Sequence, residues 1–458
     1  MEKRTLKYVT TACAGELRRG SPDAWVTGVA TDSRQAGVGE LFFAIAGERF
    51  DGHAFLVETA AQGVAAVVIE RAKVPAVLPD CAVIVVDDTR RALGRLAAAY
   101  RADFAALRIA VAGSNGKTTT KELLGAVLSE GLPTLWNDAS FNNDIGVPLT
   151  LLRLTAEHRL AVLEVGTNHP GELAPLVRLC GPRFGVLTNI GREHLEFFGD
   201  LAGVAREEGE LPAGLPAEGR FFVNGDDPWS DQLAARGPAP VVRVGFGPRN
   251  DWQVTEVRAD ARGADFQVRA PRADLAGEYR LNLLGRHQVG NALLAMAVAG
   301  ELGLSAAEIR RGLAGCQTAK MRMQSWQWHG VRVLDDAYNA NADSMLAALA
   351  TLQEIPCTGR RVAVLGDMAE LGVQSPAAHA EVGRRAATAG VDRLLAVGRM
   401  AGIVARAARD AGLQEVTEFA EPGAVAADLK DFLRAGDVLL LKASRSSRLE
   451  RLTQALRE

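Results

Sequence analysis

Cysteine is scarce and scattered in this 458-residue chain: Cys13, Cys81, Cys180, Cys316 and Cys357 are the only five, and none forms a C-x-x-C pair. That excludes a disulfide frame or a zinc site and fits reduced thiols in a cytoplasm. Net charge is nearly absent too, at −3 at pH 7, which gives no case for nucleic acid or an anionic membrane as a general partner. Long apolar runs are missing. Met1-Glu2-Lys3-Arg4 leads into none, so neither a signal peptide nor a transmembrane span is expected, and the protein reads as cytoplasmic. With 48% hydrophobic and 23% charged residues, the chain is of ordinary globular composition, and its length suggests roughly three domains.

Against this background one stretch stands out. Ile109 to Ala112 is a short apolar run fit for a buried parallel strand, Gly113-Ser114-Asn115-Gly116 breaks it, and a helix-period pattern starts at Lys117. Strand, glycine loop and helix together make a phosphate cradle. Glycines let backbone N–H groups converge on an anion, the helix N-terminus adds partial positive charge, and Lys117 adds a full one. Thr118 stands where a hydroxyl would ligate Mg²⁺. Val111 occupies the position of the first glycine in the longer G-x-x-x-x-G-K pattern, so this is the shorter G-x-x-G-K-T form.

Before the loop, strands are expected near Trp25–Ala30, Leu41–Ala46, Ala65–Ile69 and Ala82–Val86, followed by a linker helix over 92–106. The turns Thr31-Asp32-Ser33-Arg34 and Gly47-Glu48-Arg49-Phe50-Asp51-Gly52-His53 carry hydroxyl, arginine and backbone donors suited to a diphosphate or sugar; ordinary solvated turns would look the same. After the loop, Leu160–Val165 reads as a strand with Glu164 near its carboxyl end, and Phe184–Ile190 as another, followed by Gly191-Arg192-Glu193-His194. Carboxyl ends of strands in open α/β sheets face the ligand crevice, and a strand-borne carboxylate beside a P-loop is the usual second anchor for Mg²⁺. A short acidic helix is expected over 200–211, β-hairpins over 251–284, and an Ala-rich helix from Gly285-Arg286-His287-Gln288-Val289-Gly290-Asn291 through Gly300. A last α/β repeat has strands near Val331–Leu334, Arg361–Leu365, Arg393–Val397 and Val438–Leu441, polar loops at their ends and no second P-loop.

Taken together these motifs resemble the Mur ligase family. They are the P-loop Gly-Ser-Asn-Gly-Lys-Thr-Thr, Thr31 through Arg34, Gly47 through Asp51, Asn142-Asn143-Asp144-Ile145-Gly146-Val147-Pro148, Asp335 through Asn341 and Gly366 through Gly372. The likeness is greatest to the branch that adds D-alanyl-D-alanine. It implies an α/β fold of three domains: a small N-terminal UDP-substrate domain (1–100), a central P-loop ATPase domain with a mostly parallel sheet (101–315) and a C-terminal Rossmann-like domain (316–458). It further implies ATP and Mg²⁺ as cofactors, UDP-N-acetylmuramoyl-tripeptide and D-alanyl-D-alanine as substrates, and a monomer. Asp32, Ser33, Arg34 and Asn143 become candidates for the UDP-substrate. Gly113, Ser114, Asn115, Gly116, Lys117, Thr118 and Thr119 become candidates for the ATP phosphates, with Asn291 on the adenine side and Arg322 and Asp336 reaching phosphate and ribose from the third domain. Thr118, Glu164 and His194 fall at metal positions, and Tyr338, Asn339 and Asn341 near the incoming dipeptide. Lys117, Glu164, His194 and Arg322 form the expected catalytic set.

One position departs from the family pattern. Where several members carry a carbamate-forming lysine before a Gly-Glu pair, this chain has Glu208 before Gly209-Glu210. Mg²⁺ prefers hard oxygen ligands, so Glu208 is expected to supply the carboxylate directly or through a water; the competing reading makes it a solvated helix residue. The expected chemistry is phosphoryl transfer from ATP to a carboxylate, followed by attack of the dipeptide amine on the acyl phosphate, with the third domain closing over ATP. Another amide ligase of the superfamily, such as a different Mur ligase or a folylpolyglutamate synthetase, and a P-loop regulatory ATPase remain as alternatives.

Overall fold

The computed structural model describes residues 1–47 and 50–457; Glu48 and Arg49 of the second N-terminal turn lie outside the described residues. By its contacts the chain falls into two compact units. The first comprises Met1–Ala110, Leu132–Gly166 and Ala174–Phe184, the second Val111–Gly131, Thr167–Leu173 and Gly185–Glu458. The chain passes between them inside two strands, Leu107–Ala112 and Phe184–Leu187.

In the first unit a five-stranded sheet runs, in spatial order, Glu16–Arg19, Ala82–Val86, Ala66–Glu70, Leu41–Phe43 and Val29–Ala30. The first pairing is antiparallel and the rest parallel. One face buries Phe42, Val67, Ile69, Val83 and Val85 against Leu56. The helix expected over 92–106 begins earlier, at Thr89–Ala102, because the Asp88 side chain caps it by accepting the Arg91 N–H at 2.9 Å. Leu93, Leu96 and Tyr100 form its buried stripe, and the Tyr100 hydroxyl donates to Leu154 O at 2.7 Å. Two further strands of this unit, Thr134–Trp136 and Leu160–Glu164, pair in parallel.

In the second unit the strands Arg220–Asn224, Val241–Gly245 and Trp252–Asp260 pair in parallel, and Gly263–Arg269 and Gly277–Leu281 continue antiparallel, the hairpins expected from the alternating 251–284 stretch. The helix Lys117–Leu128 starts at the expected residue, and Arg286–Glu301 follows the hairpins. Beyond residue 320 a six-stranded sheet has the order Gln324–Trp328, Val331–Asp335, Val438–Lys442, Arg361–Gly366, Arg393–Val397, Glu415–Phe419. All its pairings are parallel except the first. Alternate residues of its strands serve opposite faces: Leu334, Ala363, Leu394 and Leu440 pack with Met345, Leu349 and Val382, while Val333, Val362, Leu395 and Leu439 pack with Leu429, Leu452 and Leu456. Burial on both faces is why these strands read as continuous apolar runs. Their carboxyl ends release the loops 335–341, 366–372 and 443–447.

Candidate active site

The P-loop is shaped by two glycines that no other residue could replace without strain. Gly113 has φ +112°, and a Cβ there would lie 2.3 Å from Thr188 Oγ1. Gly116 has φ +86°, and a Cβ there would lie 2.8 Å from Asn291 Oδ1. The second approach places Asn291 directly against the loop; its amide also donates to Gln288 Oε1 at 2.8 Å. Three loop amides are donated inside the protein: Gly113 N–H to Glu208 Oε2 (2.8 Å), Ser114 N–H to Asn189 O (2.9 Å) and Asn115 N–H to Asn189 Oδ1 (3.1 Å). Lys117 folds back over the loop, donating to Gly113 O and, at 3.3 Å, to Ser114 O and Glu193 Oε2. Thr118 is buried in the first helical turn and Thr119 is half-buried.

Glu208 ends the helix Leu201–Glu208, whose N-terminus is capped by Asp200 on the Gly203 N–H at 2.8 Å. It is 1% exposed, so the solvated-helix reading of this residue is wrong. Burial first, and then the charge of Glu193, push its carboxyl well above the ordinary carboxylate range, against the pull of Lys117 and the Gly113 amide. Its neighbour Glu207 has a different task, accepting the N–H groups of Gly171 and Leu173 at 2.8 Å. Glu193, absent from the expected set, is buried, contacts Lys117, and among the described residues keeps Oε1 buried with no hydrogen-bond partner. His194 sits in left-handed backbone at φ +48° with Nδ1 2.5 Å from Glu370 Oε2. Hydrogen bonding to His194 holds the Glu370 carboxyl below its usual range.

The remaining candidates divide by unit. In the first, Glu164 is buried at the end of its strand, where Asn142 Nδ2 donates to its Oε1 at 2.8 Å; Asn142, not singled out from the sequence, is the residue of the Asn142–Pro148 motif that touches it. Asn143 instead accepts the N–H of Gly146, the first residue of the helix Gly146–Leu151, at 2.9 Å. Asp32 closes a local turn on Arg34 (2.9 and 2.6 Å), whose side chain draws the Asp32 carboxyl down to about 2. Ser33 is half-buried in the same turn. In the second unit Arg322 lies 4.2 Å above the Tyr338 ring. Asp336 accepts from Met323 N–H (2.9 Å) and Lys442 Nζ (2.5 Å), a partner absent from the expected set because it lies 106 residues away in sequence. Asn341 Nδ2 donates to Asn115 Oδ1 of the P-loop at 2.9 Å. Among the described residues no three His, Cys, Asp or Glu side chains already converge as a metal cage, and no helix is long and apolar enough to cross a membrane.

Comparison with known proteins bears directly on this arrangement. The model of the Mur ligase middle domain matches residues 111–299, that of the Mur ligase family catalytic domain residues 26–101, and that of the Mur ligase glutamate ligase domain residues 321–445. The UDP-N-acetylmuramoyl-tripeptide–D-alanyl-D-alanine ligase of Escherichia coli strain K12 is 39% identical, over 99% of this chain and 98% of its own length. The chain belongs to the Mur ligase family. The ligase of the same name from Bacillus subtilis is 34% identical over 100% of this chain and 99% of its own. Among solved structures, MurF from Acinetobacter baumannii superposes with a TM-score of 0.90 at 32% identity, covering 100% of both chains. The expected three-domain α/β architecture of this Mur ligase is thereby established.

Proposed function

We propose that this Mur ligase joins D-alanyl-D-alanine to the terminal carboxylate of UDP-N-acetylmuramoyl-tripeptide, cleaving ATP to ADP and phosphate. The observation that carries the reading is the end-to-end match, at 39% identity, to a ligase named for that reaction. The domain division 1–100, 101–315 and 316–458 is retained as the functional one: UDP-substrate, ATP, and closing domain with dipeptide.

A carboxylate is a poor electrophile and hydroxide a poor leaving group. Transfer of the γ-phosphoryl group gives an acyl phosphate, and the dipeptide amine then displaces phosphate to form the amide. The protein's part is positioning and charge compensation. Lys117 supplies a cation at the loop, and Asn291 lines it beside Gly116. Arg322 and Asp336 are assigned to the nucleotide from the third domain, and Asp32, Ser33, Arg34 and Asn143 to the UDP-substrate. The donor chemistry suits Mg²⁺: hard oxygens predominate, and the orphaned Glu193 Oε1 marks a buried anionic atom that a cation would satisfy. Thr118 with Glu164, and His194 with Glu208, are the residues proposed to hold two such ions, and when bound these would offset the charge of the phosphates. Exclusion of water protects an acyl phosphate from hydrolysis.

The test is phosphate release assayed with ATP, UDP-N-acetylmuramoyl-tripeptide and D-alanyl-D-alanine. Release requiring both substrates is expected. Release requiring neither would mean a regulatory ATPase, and release with a single amino acid in place of the dipeptide would mean a different amide ligase. Lys117→Ala should lower the rate by about 10³-fold; an unchanged rate would remove the P-loop from the mechanism.

A further inference from the structure

The segment Asn189–Gly199, which leads into the helix Leu201–Glu208, is engaged on two sides. Towards the P-loop, Asn189 accepts from Ser114 and Asn115 and donates its Nδ2 to Asn115 O at 2.9 Å, and the Gly191 N–H donates to Ser114 Oγ at 2.8 Å. Towards the C-terminal domain, the Arg192 N–H and Nε donate to the Asp343 carboxylate at 2.7 and 2.8 Å, and its guanidinium reaches Glu381 Oε2 at 2.6 Å. Farther along, the Glu196 N–H donates to Glu370 O at 3.0 Å, and Gln374 Nε2 to Gly199 O at 3.1 Å.

Arg192 thus ties two helices, Ala342–Glu354 and Ser375–Thr388, to a segment that is itself bonded to the phosphate loop. A single exposed ion pair fixes little. This one is different in kind: one planar guanidinium is shared by two carboxylates, Asp343 is held by backbone and side chain at once, and the Arg192 side chain is only 25% exposed. A planar guanidinium bridging two carboxylates sets orientation as well as attraction. A Cβ at Gly191 would lie 2.8 Å from Asp343 Oδ2, so the neighbouring backbone is closed down onto the same carboxylate.

We propose that Arg192 is a positioning residue. Through Asp343 and Glu381 it fixes the C-terminal domain against the P-loop segment, so that groups borne by the two are assembled in register for the ligation reaction. The activity arm of its test rests on the function proposed above; the clasp itself does not.

The experiment uses the full chain with Arg192→Ala, Arg192→Lys, Glu381→Ala and the Arg192→Ala/Glu381→Ala double variant. Hydrogen exchange of the nucleotide-free proteins should show faster exchange in peptides covering 189–199 and 341–345 in Arg192→Ala, with the strand Arg220–Asn224 unchanged. Steady-state kinetics should show kcat lowered by about tenfold with the KM for ATP within twofold, partial recovery in Arg192→Lys, and a double variant no worse than the poorer single one. Unchanged exchange in a protein that is otherwise active overturns the clasp. Altered exchange with parental kcat, or strictly additive effects of Arg192→Ala and Glu381→Ala, overturns the positioning role. If the parent releases no phosphate with both substrates yet Arg192→Ala alters exchange, the proposed reaction fails and the clasp stands.

Discussion

Glu208 occupies a place where a charge is hard to keep: fully enclosed, beside Glu193, with Lys117 and one loop amide in compensation. A glutamine there can still accept the Gly113 N–H through its carbonyl oxygen but offers no charge to a cation. Glu208→Gln should therefore keep its thermal stability while needing about tenfold more Mg²⁺ for half-maximal activity, read from a metal titration of phosphate release. Unchanged activity at limiting metal would leave Glu208 a purely structural support of the loop. Asp437 offers a pH test away from the site. Burial works against its charge, but hydrogen bonds from Arg360 (2.7 Å), the Arg360 N–H (2.8 Å) and the Arg434 N–H (2.9 Å) outweigh it and hold the carboxyl below its ordinary value. A depressed carboxyl contributes stability that is complete above the unfolded value near about 3.9 and is lost as pH falls through the folded value. Asp437→Asn should cost about 2 kcal/mol at pH 7, and the gap from the parent in urea unfolding should shrink below about pH 4. At this scale the sequence marked its candidates by motif and by family resemblance. Lys117, Thr118, His194 and Asn291 follow from recognisable patterns, whereas Glu193 and Asn142 stand beside more familiar neighbours, and Lys442 meets Asp336 only through strand pairing.

The elements show which local signals suffice. The helix Ala306–Gly315 opens with a full capping box: Ser305 Oγ accepts the Glu308 N–H at 3.3 Å, and Glu308 Oε2 accepts the Ser305 N–H at 2.7 Å. Removing it with Ser305→Ala should destabilise the protein by about 1 kcal/mol without changing kcat, measured by denaturant unfolding alongside the activity assay. The strands Ala82–Val86 and Arg393–Val397 have the bounds their apolar runs foretell. Three sheet-edge strands, Glu16–Arg19, Gln324–Trp328 and Glu415–Phe419, have no such run. An edge strand is covered on fewer sides and tolerates charge, so its hydrophobic pattern is diluted and only its partner reveals it. The expected strand over 25–30 is in fact two short ones, Trp25–Val26 and Val29–Ala30, pairing with different neighbours.

At the scale of the whole molecule, the order of the three α/β regions was readable because each begins with its own apolar strands and polar strand-end loops. The interweaving of segments from 111–131 and 167–173 with the later part of the chain was not, since parallel pairing brings together residues far apart in sequence. If nucleotide binding favours closure by the third domain, solution scattering with a non-hydrolysable ATP analogue and the UDP-substrate should differ from scattering without them; identical profiles would count against closure. Gly191 offers a way to intervene in that motion. A Cβ there would lie 2.8 Å from Asp343 Oδ2 and 2.9 Å from Asn115 Nδ2, so a methyl group would push both side-chain ends aside. Gly191→Ala would act as a wedge, pushing the Asp343 carboxylate and the Asn115 amide away from the segment and loosening its hold on the C-terminal domain. The outcome to look for is a loss of amide formation that exceeds any loss of ADP affinity.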